Sequence, residues 1–171
     1  MLIVFVLLLA GLGLLLLWLS WRSQQAVGLP VEKVVYSDTS AARRVEDTLV
    51  SRRYGLVGKP DYVVEERDGP VPVEVKPTRR AETPYLSDVL QLVAYCLLIE
   101  DVWGRRPRRG LLRYAEHTFA VDYTPEIRQV LLETLDEMRG QMRAADVARD
   151  HEEAGRCRAC GVRAACDQRL A

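Results

Sequence analysis

The chain has 171 residues and carries 24 basic and 24 acidic side chains, so its formal net charge is zero. A composition that is 49% hydrophobic and 28% charged excludes a fully disordered chain and a multi-pass membrane protein, and the neutrality excludes a highly basic nucleic-acid coat. The charges are unevenly placed, because residues 1–21 contain 18 apolar side chains and every charged residue follows Trp21.

The N-terminal segment is predicted to be a transmembrane helix. Leu2–Leu19 is apolar apart from two glycines, and a helix of this length spans about 27 Å, close to the hydrocarbon thickness of a bilayer. Trp18 and Trp21 occupy the position of an interfacial aromatic belt. Arg22 is the first cation, so the positive-inside rule places the rest of the chain in the cytoplasm.

A cleaved signal peptide is the alternative for this segment. It would require a basic leader and an apolar core of about 7–15 residues, and the segment has neither, although Ala26-Val27-Gly28 has the small-x-small pattern of a cleavage site. The favoured interpretation is a membrane anchor over residues 1–22 and a linker over residues 23–30. It makes the chain a single-pass protein of the cell membrane.

The first half of the soluble part is predicted to be mainly strands. Val31–Ser37 is rich in β-branched residues and indicates a strand. The next segment, Ala41–Ser51, is predicted to be a helix capped by the polar residues before it, although its arginines could equally line a loop. Tyr62–Glu66 and Val71–Lys76 are two strands, and Asp68-Gly69-Pro70 between them predicts a hairpin turn.

The second half alternates between helices and strands. Apolar residues at helical spacing predict a helix over Leu86–Asp101. Leu111–Tyr114 and Thr118–Tyr123 are predicted strands. Thr124-Pro125 is typical of a helix start, and this helix is predicted to end near Arg149. The order of elements predicts an α/β domain over residues 31–150, with a mixed sheet flanked by helices.

Charged residues converge at one end of the predicted hairpin. Folding the chain at its turn brings Asp61 beside Glu74 and Lys76, and the last two share a sheet face because they are two residues apart. Paired carboxylates suit Mg²⁺ or Mn²⁺, which can polarise a phosphoryl oxygen. A nearby ammonium can orient a water molecule or steady developing negative charge.

The next predicted helix adds two polar residues. Gln91 and Tyr95 are four residues apart and therefore share one helix face. Only three of the 24 basic residues are lysines, and two of these, Lys59 and Lys76, lie in these motifs. Taken singly, each residue is typical of a turn, a solvated strand face or an amphipathic helix. Their joint order indicates a functional site.

The sequence Pro60-Asp61, then Glu74-Val75-Lys76, then Gln91 and Tyr95 resembles the PD-(D/E)xK nuclease superfamily. Within it, the chain is similar to the RecB-like branch that includes the CRISPR-associated exonucleases. The resemblance covers residues 31–171 and implies a restriction-endonuclease-like fold. It implies metal-dependent hydrolysis of phosphodiester bonds in DNA.

The resemblance also assigns roles to residues. It implies that Asp61, Glu74 and the Val75 carbonyl bind the divalent metal, that Lys76 acts on the attacking water, and that the two helical residues lie near the substrate. Members of the branch usually carry a further His or Glu upstream as a metal ligand. Here Glu46 and Asp47 are the carboxylates near that place, and the apolar anchor occupies the stretch where other members have further helices.

The C-terminal tail, residues 151–171, contains three cysteines at the spacing of metal ligands: Cys157, Cys160 and Cys166. In the resembling nucleases such a triplet joins an N-terminal cysteine to hold an iron–sulfur cluster. The remaining cysteine of this chain, Cys96, lies in an apolar stretch and is expected to be a buried small residue. The fourth ligand therefore stays unidentified. Zinc completed by His151 and a metal-free, redox-sensitive tail are the alternatives.

Two arginine groups are candidates for phosphate contacts. Arg79 and Arg80 follow the strand that ends at Lys76 and are predicted to contact DNA. Residues 105–109 contain four arginines, which could contact phosphates, lie in a solvated loop or face anionic lipid headgroups.

The sequence therefore predicts a membrane-anchored, metal-dependent deoxyribonuclease of exonuclease type, with DNA and, through residues 2–19, the membrane as partners. The alternative is a non-catalytic module that keeps the nuclease fold and holds DNA or a metal cluster at the membrane for another protein.

Overall fold

The computed structural model describes residues 31–34 and 42–170. The predicted membrane anchor and the linker after it, residues 1–30, lie outside the described residues. Within the described ranges, none of the helices is long and apolar enough to cross a bilayer. The chain divides into two compact units, one ending at Leu131 and one beginning at Leu132.

The first unit is built on a mixed β-sheet. The strands are, in chain order, β1 (Val31–Val34), β2 (Ala42–Arg44), β3 (Leu49–Ser51), β4 (Leu56–Gly58), β5 (Tyr62–Glu66), β6 (Gly69–Lys76), β7 (Arg109–Tyr114) and β8 (Thr118–Asp122). Six of them form one sheet in the order β1-β8-β7-β6-β5-β2, and β3 and β4 form a separate hairpin. The β6–β7 pair is parallel and the other neighbours are antiparallel. The predicted mixed sheet is confirmed.

One helix connects two strands of the sheet, and the other two follow the last strand. They are α1 (Leu86–Trp103), α2 (Pro125–Arg143) and α3 (Ala154–Arg158), followed by a 3₁₀ turn at Arg163–Ala165. Helix α1 forms the crossover that a parallel pair of strands requires, and Gly104, at φ 66°, ends it in the left-handed conformation. Thr124 caps α2 as predicted, since its Oγ1 accepts a hydrogen bond from the Ile127 N–H at 3.4 Å. Helix α2 ends at Arg143, before the predicted Arg149.

The predicted helix over residues 41–51 is wrong, because this segment contains strands β2 and β3. Strand β2 pairs with β5, placing Arg43 opposite Val63 at the edge of the large sheet. In β3, Leu49 and Ser51 are buried while Val50 between them is exposed, an alternation with the period of a strand. Strand β4, which pairs with β3, was not predicted.

The β5–β6 hairpin sets the geometry of the predicted site. Gly69 pairs with Glu66 at the turn and has φ 127°, a conformation that favours glycine. Strand β6 therefore begins at Gly69, two residues before the predicted start at Val71. The register places Tyr62 opposite Val73, so the residue before Tyr62 lies level with Glu74.

Helix α1 packs closely on the strands at two glycines. A Cβ atom on Gly110 of β7 would lie 2.7 Å from Leu92 Cγ, and one on Gly58 would lie 2.8 Å from Leu98 Cδ1 and 3.0 Å from Tyr95 Cε1. The backbone of β4 and β7 therefore contacts helix side chains directly. This close approach brings the middle of α1 beside the end of β6.

The second unit contains the cysteine-bearing tail. Arg149 closes it, because its backbone N–H donates to Gln168 Oε1 at 2.6 Å and its Nε donates to the Gln168 carbonyl at 3.0 Å. These bonds join the two ends of the tail around α3. The unit boundary lies inside α2, whereas the predicted domain boundary at residue 150 stays a prediction.

Candidate active site

Two carboxylates meet at the end of the β5–β6 hairpin. Asp61 lies just before β5, where its Oδ2 accepts a hydrogen bond from the Val75 N–H at 2.9 Å. Glu74 points to the face of β6 that α1 covers and is only 5% exposed. The hairpin register thus brings Asp61 next to the Glu74-Val75 step, as the sequence predicts.

A chain of hydrogen bonds links the strand to the helix. Lys76 Nζ lies 2.8 Å from Glu74 Oε1 and donates to Gln91 Oε1 at 3.0 Å. The other end of the Gln91 carboxamide, Nε2, lies 2.9 Å from Glu74 Oε1 and 2.7 Å from the Tyr95 hydroxyl. The structure therefore brings the five predicted side chains together: Asp61, Glu74, Lys76, Gln91 and Tyr95.

Burial and charge shift the protonation of this group. Burial raises the pKa of Glu74, and the negative charge of Asp61 adds to this, against hydrogen bonds from Lys76 and Gln91 that lower it. The hydrogen bond with Glu74 raises the pKa of Lys76, so its ammonium stays charged at neutral pH. Burial raises the pKa of Tyr95, so its hydroxyl stays protonated.

The donor set fits a small divalent cation. Burial raises the pKa of Glu74 and the negative charge of Asp61 adds to this, so a cation held by both carboxylates would favour their charged forms. No third His, Cys, Asp or Glu joins them among the described residues, where no such group of three occurs. Mg²⁺ suits two carboxylates, because it usually keeps several water or phosphate ligands. Asp61, Glu74 and the Val75 carbonyl would hold it.

A cavity of about 420 Å³ opens beside Asp61. Its walls also include Glu46 and Lys59, and Lys59 Nζ donates to the Glu46 carbonyl at 2.7 Å. Of the two upstream carboxylates considered as metal ligands, Glu46 therefore shares a cavity with Asp61, and Asp47 is not among the lining residues. The second lysine of the motifs, Lys59, is thus placed at the same end of the sheet as Lys76.

Asp88 is a residue of this region that the sequence reasoning missed. It is 4% exposed, its Oδ2 accepts a hydrogen bond from the Tyr114 hydroxyl at 2.7 Å, and it lies 3.4 Å from Arg79 Nε. The signal was present in the spacing, because Asp88, Gln91 and Tyr95 follow one another at helical intervals of three and four. A carboxylate on the buried face of a helix requires partners, and here they come from β7 and from the loop after β6.

The two groups of arginines proposed to contact phosphates differ in their positions and in their carboxylate partners. Arg79 pairs with Asp88, and Arg80 pairs with Glu116 in the β7–β8 turn. The four arginines of residues 105–109 lie near the start of β7, at the opposite end of the sheet from Lys76. Each is paired with a carboxylate; the pairs are Arg105–Glu65, Arg106–Glu100, Arg108–Asp68 and Arg109–Glu66.

The cysteines of the tail are in three different environments. Cys157 is buried, and its Sγ accepts a hydrogen bond from the Leu170 N–H at 3.4 Å. Cys160 is exposed and Cys166 is half-buried. Together with His151, they do not form a group of three metal ligands in the described part of the tail. Cys96 is buried in α1 as predicted, and burial raises the pKa of its thiol.

The chain was compared with protein-family models, curated proteins and solved structures. No curated protein matches the chain. Among solved structures, the chain is similar to the one described as "Crystal structure of SSO0001", with a TM-score of 0.42 and 17% identity over 95% of this chain and 72% of that one. The family model of the PD-(D/E)XK nuclease superfamily matches residues 11–167, and the mixed sheet flanked by helices fits the restriction-endonuclease-like fold of that group. Its members are usually nucleases and typically use divalent metals such as Mg²⁺. The chain belongs to the PD-(D/E)XK nuclease superfamily.

Proposed function

We propose that the chain is a divalent-metal-dependent deoxyribonuclease of the RecB-like type, acting as an exonuclease at the membrane. The observation that carries the proposal is the continuous set of hydrogen bonds from Glu74 through Lys76 and Gln91 to Tyr95, with Asp61 alongside. A stability role alone would not require an ion pair and a buried carboxylate at the open end of a hairpin.

In the proposed reaction, the residues of the hairpin and the residue of the helix have different roles. Asp61 and Glu74 would hold a divalent ion, which would supply Lewis-acid polarisation of the phosphate and a more acidic water. Lys76 presents its ammonium to the same space and can donate to an oxygen that gains negative charge. Gln91 holds that ammonium from the helix side, so its direction is fixed before substrate arrives.

The membrane location of this activity rests on the sequence. The charge-free run over residues 2–19 has the length and the aromatic flanks of a single-pass anchor. The tail cysteines are proposed to bind an iron–sulfur cluster, or zinc in its place, since their spacing is that of ligands. In this proposal the nuclease unit lies on the cytoplasmic side.

The second candidate is a non-catalytic module of the same fold. Two observations favour it. Glu74 and Lys76 already neutralise each other. Among the described residues, no third ligand stands beside the two carboxylates. Such a module would bind DNA or a metal cluster at the membrane for a partner protein.

Cleavage of labelled single- and double-stranded DNA by the purified chain, with Mg²⁺ or Mn²⁺, distinguishes the two. We expect the wild type to release mononucleotides or short products, and Glu74→Ala and Lys76→Ala to lose this activity. Arg108→Ala, at the other end of the sheet, is the matched control and should retain it. A wild type that binds DNA without cutting it would favour the module, and equal cutting by all variants would remove the site assignment.

A further inference from the structure

An exposed aromatic ring and a guanidinium stand together next to the candidate active site. The Arg79 guanidinium carbon lies 4.8 Å from the centroid of the Tyr85 ring. Tyr85 is 48% exposed, and the Arg79 side chain is 46% exposed. Both groups therefore remain accessible while holding each other in place.

A buried network fixes this pair from below. The Tyr114 hydroxyl accepts a hydrogen bond from the Tyr85 N–H at 3.0 Å and donates one to Asp88 Oδ2 at 2.7 Å. The same carboxylate oxygen lies 3.4 Å from Arg79 Nε. Burial and the bond to Asp88 raise the pKa of Tyr114 to about 12, so the hydroxyl remains a donor at neutral pH. Because both side chains are already ordered, they lose less conformational entropy when a ligand binds them.

The pair lies at a useful distance from the reacting groups. Tyr85 caps α1, and Gln91, which holds Lys76, follows six residues later, about 9 Å along the helix axis. Successive nucleotides of a stacked strand are about 3.4 Å apart. An axial separation of about 9 Å corresponds to about two to three stacked nucleotides.

We infer that Arg79 and Tyr85 form a platform for an unpaired nucleotide, on which Tyr85 stacks with a base while Arg79 contacts a phosphate. Aromatic rings combined with arginine are the usual means of binding single-stranded DNA. The inference rests on the proposed function and specifies its substrate as single-stranded DNA, because a base inside a duplex cannot leave its partner to reach the ring without unstacking. Arg79 and not Arg80 is assigned to the platform, because it is the Arg79 guanidinium that lies over the Tyr85 ring, whereas Arg80 pairs with Glu116 in the β7–β8 turn.

The experiment measures binding separately from cleavage. The 171-residue chain, with Ca²⁺ in place of Mg²⁺, is titrated into a short fluorescent oligothymidylate and into an abasic strand of equal length, and anisotropy gives the affinities. Tyr85→Ala should bind oligothymidylate about 5- to 150-fold more weakly, whereas its affinity for the abasic strand should not change. Tyr85→Phe should bind like the wild type, and Arg79→Ala should weaken binding of both strands.

Each result decides the inference. Val102→Ala, a change of an exposed residue in the last turn of α1, is the matched control and should bind both strands normally. If Tyr85→Ala binds oligothymidylate as tightly as the wild type, or loses affinity equally for the abasic strand, the platform is overturned, and cleavage by the wild type would leave the proposed nuclease intact. A wild type that neither binds nor cuts DNA overturns both proposals.

Discussion

Gln91 connects the strand and the helix of the candidate active site through a single carboxamide. Its oxygen accepts from Lys76, and its nitrogen donates to both Glu74 and Tyr95. The amide has a fixed polarity, so each neighbour meets the end that suits it. Shortening this side chain would leave a half-buried ammonium with one partner fewer and free to rotate.

Gln91→Ala should therefore lower kcat about 100-fold, since a displacement of about 1 Å at a reacting group costs that much, and should change KM little. Steady-state cleavage kinetics measure both constants. Gln141→Ala, a change of an exposed glutamine bonded to Glu137 in α2, is the control and should behave like the wild type. An unchanged kcat in Gln91→Ala would show that Lys76 needs no support from the helix.

Glu74 should make the fold sensitive to pH. Its raised pKa means that the folded state favours the neutral carboxyl: this contribution to stability is complete below about pH 4.5 and is lost as the pH rises through the higher folded-state pKa. In metal-free buffer at neutral pH, Glu74→Gln should therefore have a higher Tm than the wild type, and the difference should vanish in acid. Thermal unfolding at several pH values tests this.

Divalent metal should reverse the difference. Mn²⁺ at about 100 times its Kd would stabilise the wild type by about 2.7 kcal/mol and should leave the Tm of Glu74→Gln unchanged. Glu137→Gln, in α2, is the control and should respond to Mn²⁺ like the wild type. Equal Tm values for Glu74→Gln and the wild type at every pH, with and without Mn²⁺, would contradict both the raised pKa of Glu74 and the metal site.

The sequence indicated which residues form the site because proximity within the hairpin and within the helix is local, and the family resemblance connected these two elements. A hairpin turn brings Asp61 to Glu74, and helical spacing brings Gln91 to Tyr95. The spacing also places Asp88 on the helix face of Gln91 and Tyr95, but its partner Tyr114 is 26 residues away on β7. Such a contact depends on where the helix lies on the sheet, which no spacing within either element reveals.

At the level of elements, two glycines determine how closely α1 approaches the strands. Gly58 matters most for the site, because the Tyr95 ring and Leu98 occupy the space a side chain would need. The sequence-based prediction of the site assigned no role to Gly58. Its packing role follows from the tertiary structure.

Gly58→Ala should therefore destabilise the fold by about 1–3 kcal/mol, as overpacking does, and should reduce cleavage by moving Tyr95 away from Gln91. Thermal unfolding and kcat measure the two effects. Gly140→Ala is the matched control: nothing lies within 4 Å of its added Cβ, and alanine in the helix should stabilise by about 0.5–1 kcal/mol. A normal Tm and kcat in Gly58→Ala would show that Tyr95 has room to move.

Short edge strands explain the main error of the sequence analysis. Strands β2 and β3 have three residues each, too few to establish a period of two against a period of 3.6. Their strand state depends on partners, β5 for the first and β4 for the second. The longer elements, α1 and β5–β6, have enough residues to show their period and were predicted within a few residues.

At the scale of the whole molecule, the proposed membrane anchor over residues 1–22 can be tested separately from the described units. The anchor is an inference from composition, and it predicts membrane association that depends on hydrophobicity and not on charge. Leu9→Arg should move the chain from the membrane fraction to the supernatant, since an arginine at the middle of a span costs about 2.5–3.5 kcal/mol. Leu9→Ile is the control and should stay with the membrane. Flotation with vesicles at high salt measures this.

The tail gives a second prediction at this scale. If Cys157, Cys160 and Cys166 hold an iron–sulfur cluster, the anaerobically purified chain should show the visible absorbance of such clusters, and Cys160→Ser should reduce it. If zinc replaces the cluster, metal analysis should find zinc without colour. Metal-free protein with full stability would remove both proposals for the tail.

The paired arginines at the far end of the sheet have a consequence for where a polyanion can attach. A chain with so many arginines would bind nucleic acid over much of its surface if those side chains were unopposed. The carboxylates around the β5–β6 turn, Glu65, Glu66 and Asp68, pair with these arginines and oppose that attraction at this end of the sheet. Replacing Glu65, Glu66 and Asp68 with neutral residues would leave their arginine partners unopposed. DNA would then bind at this end of the sheet, away from Lys76. The local balance of charge at this end of the sheet would therefore limit where a polyanion attaches.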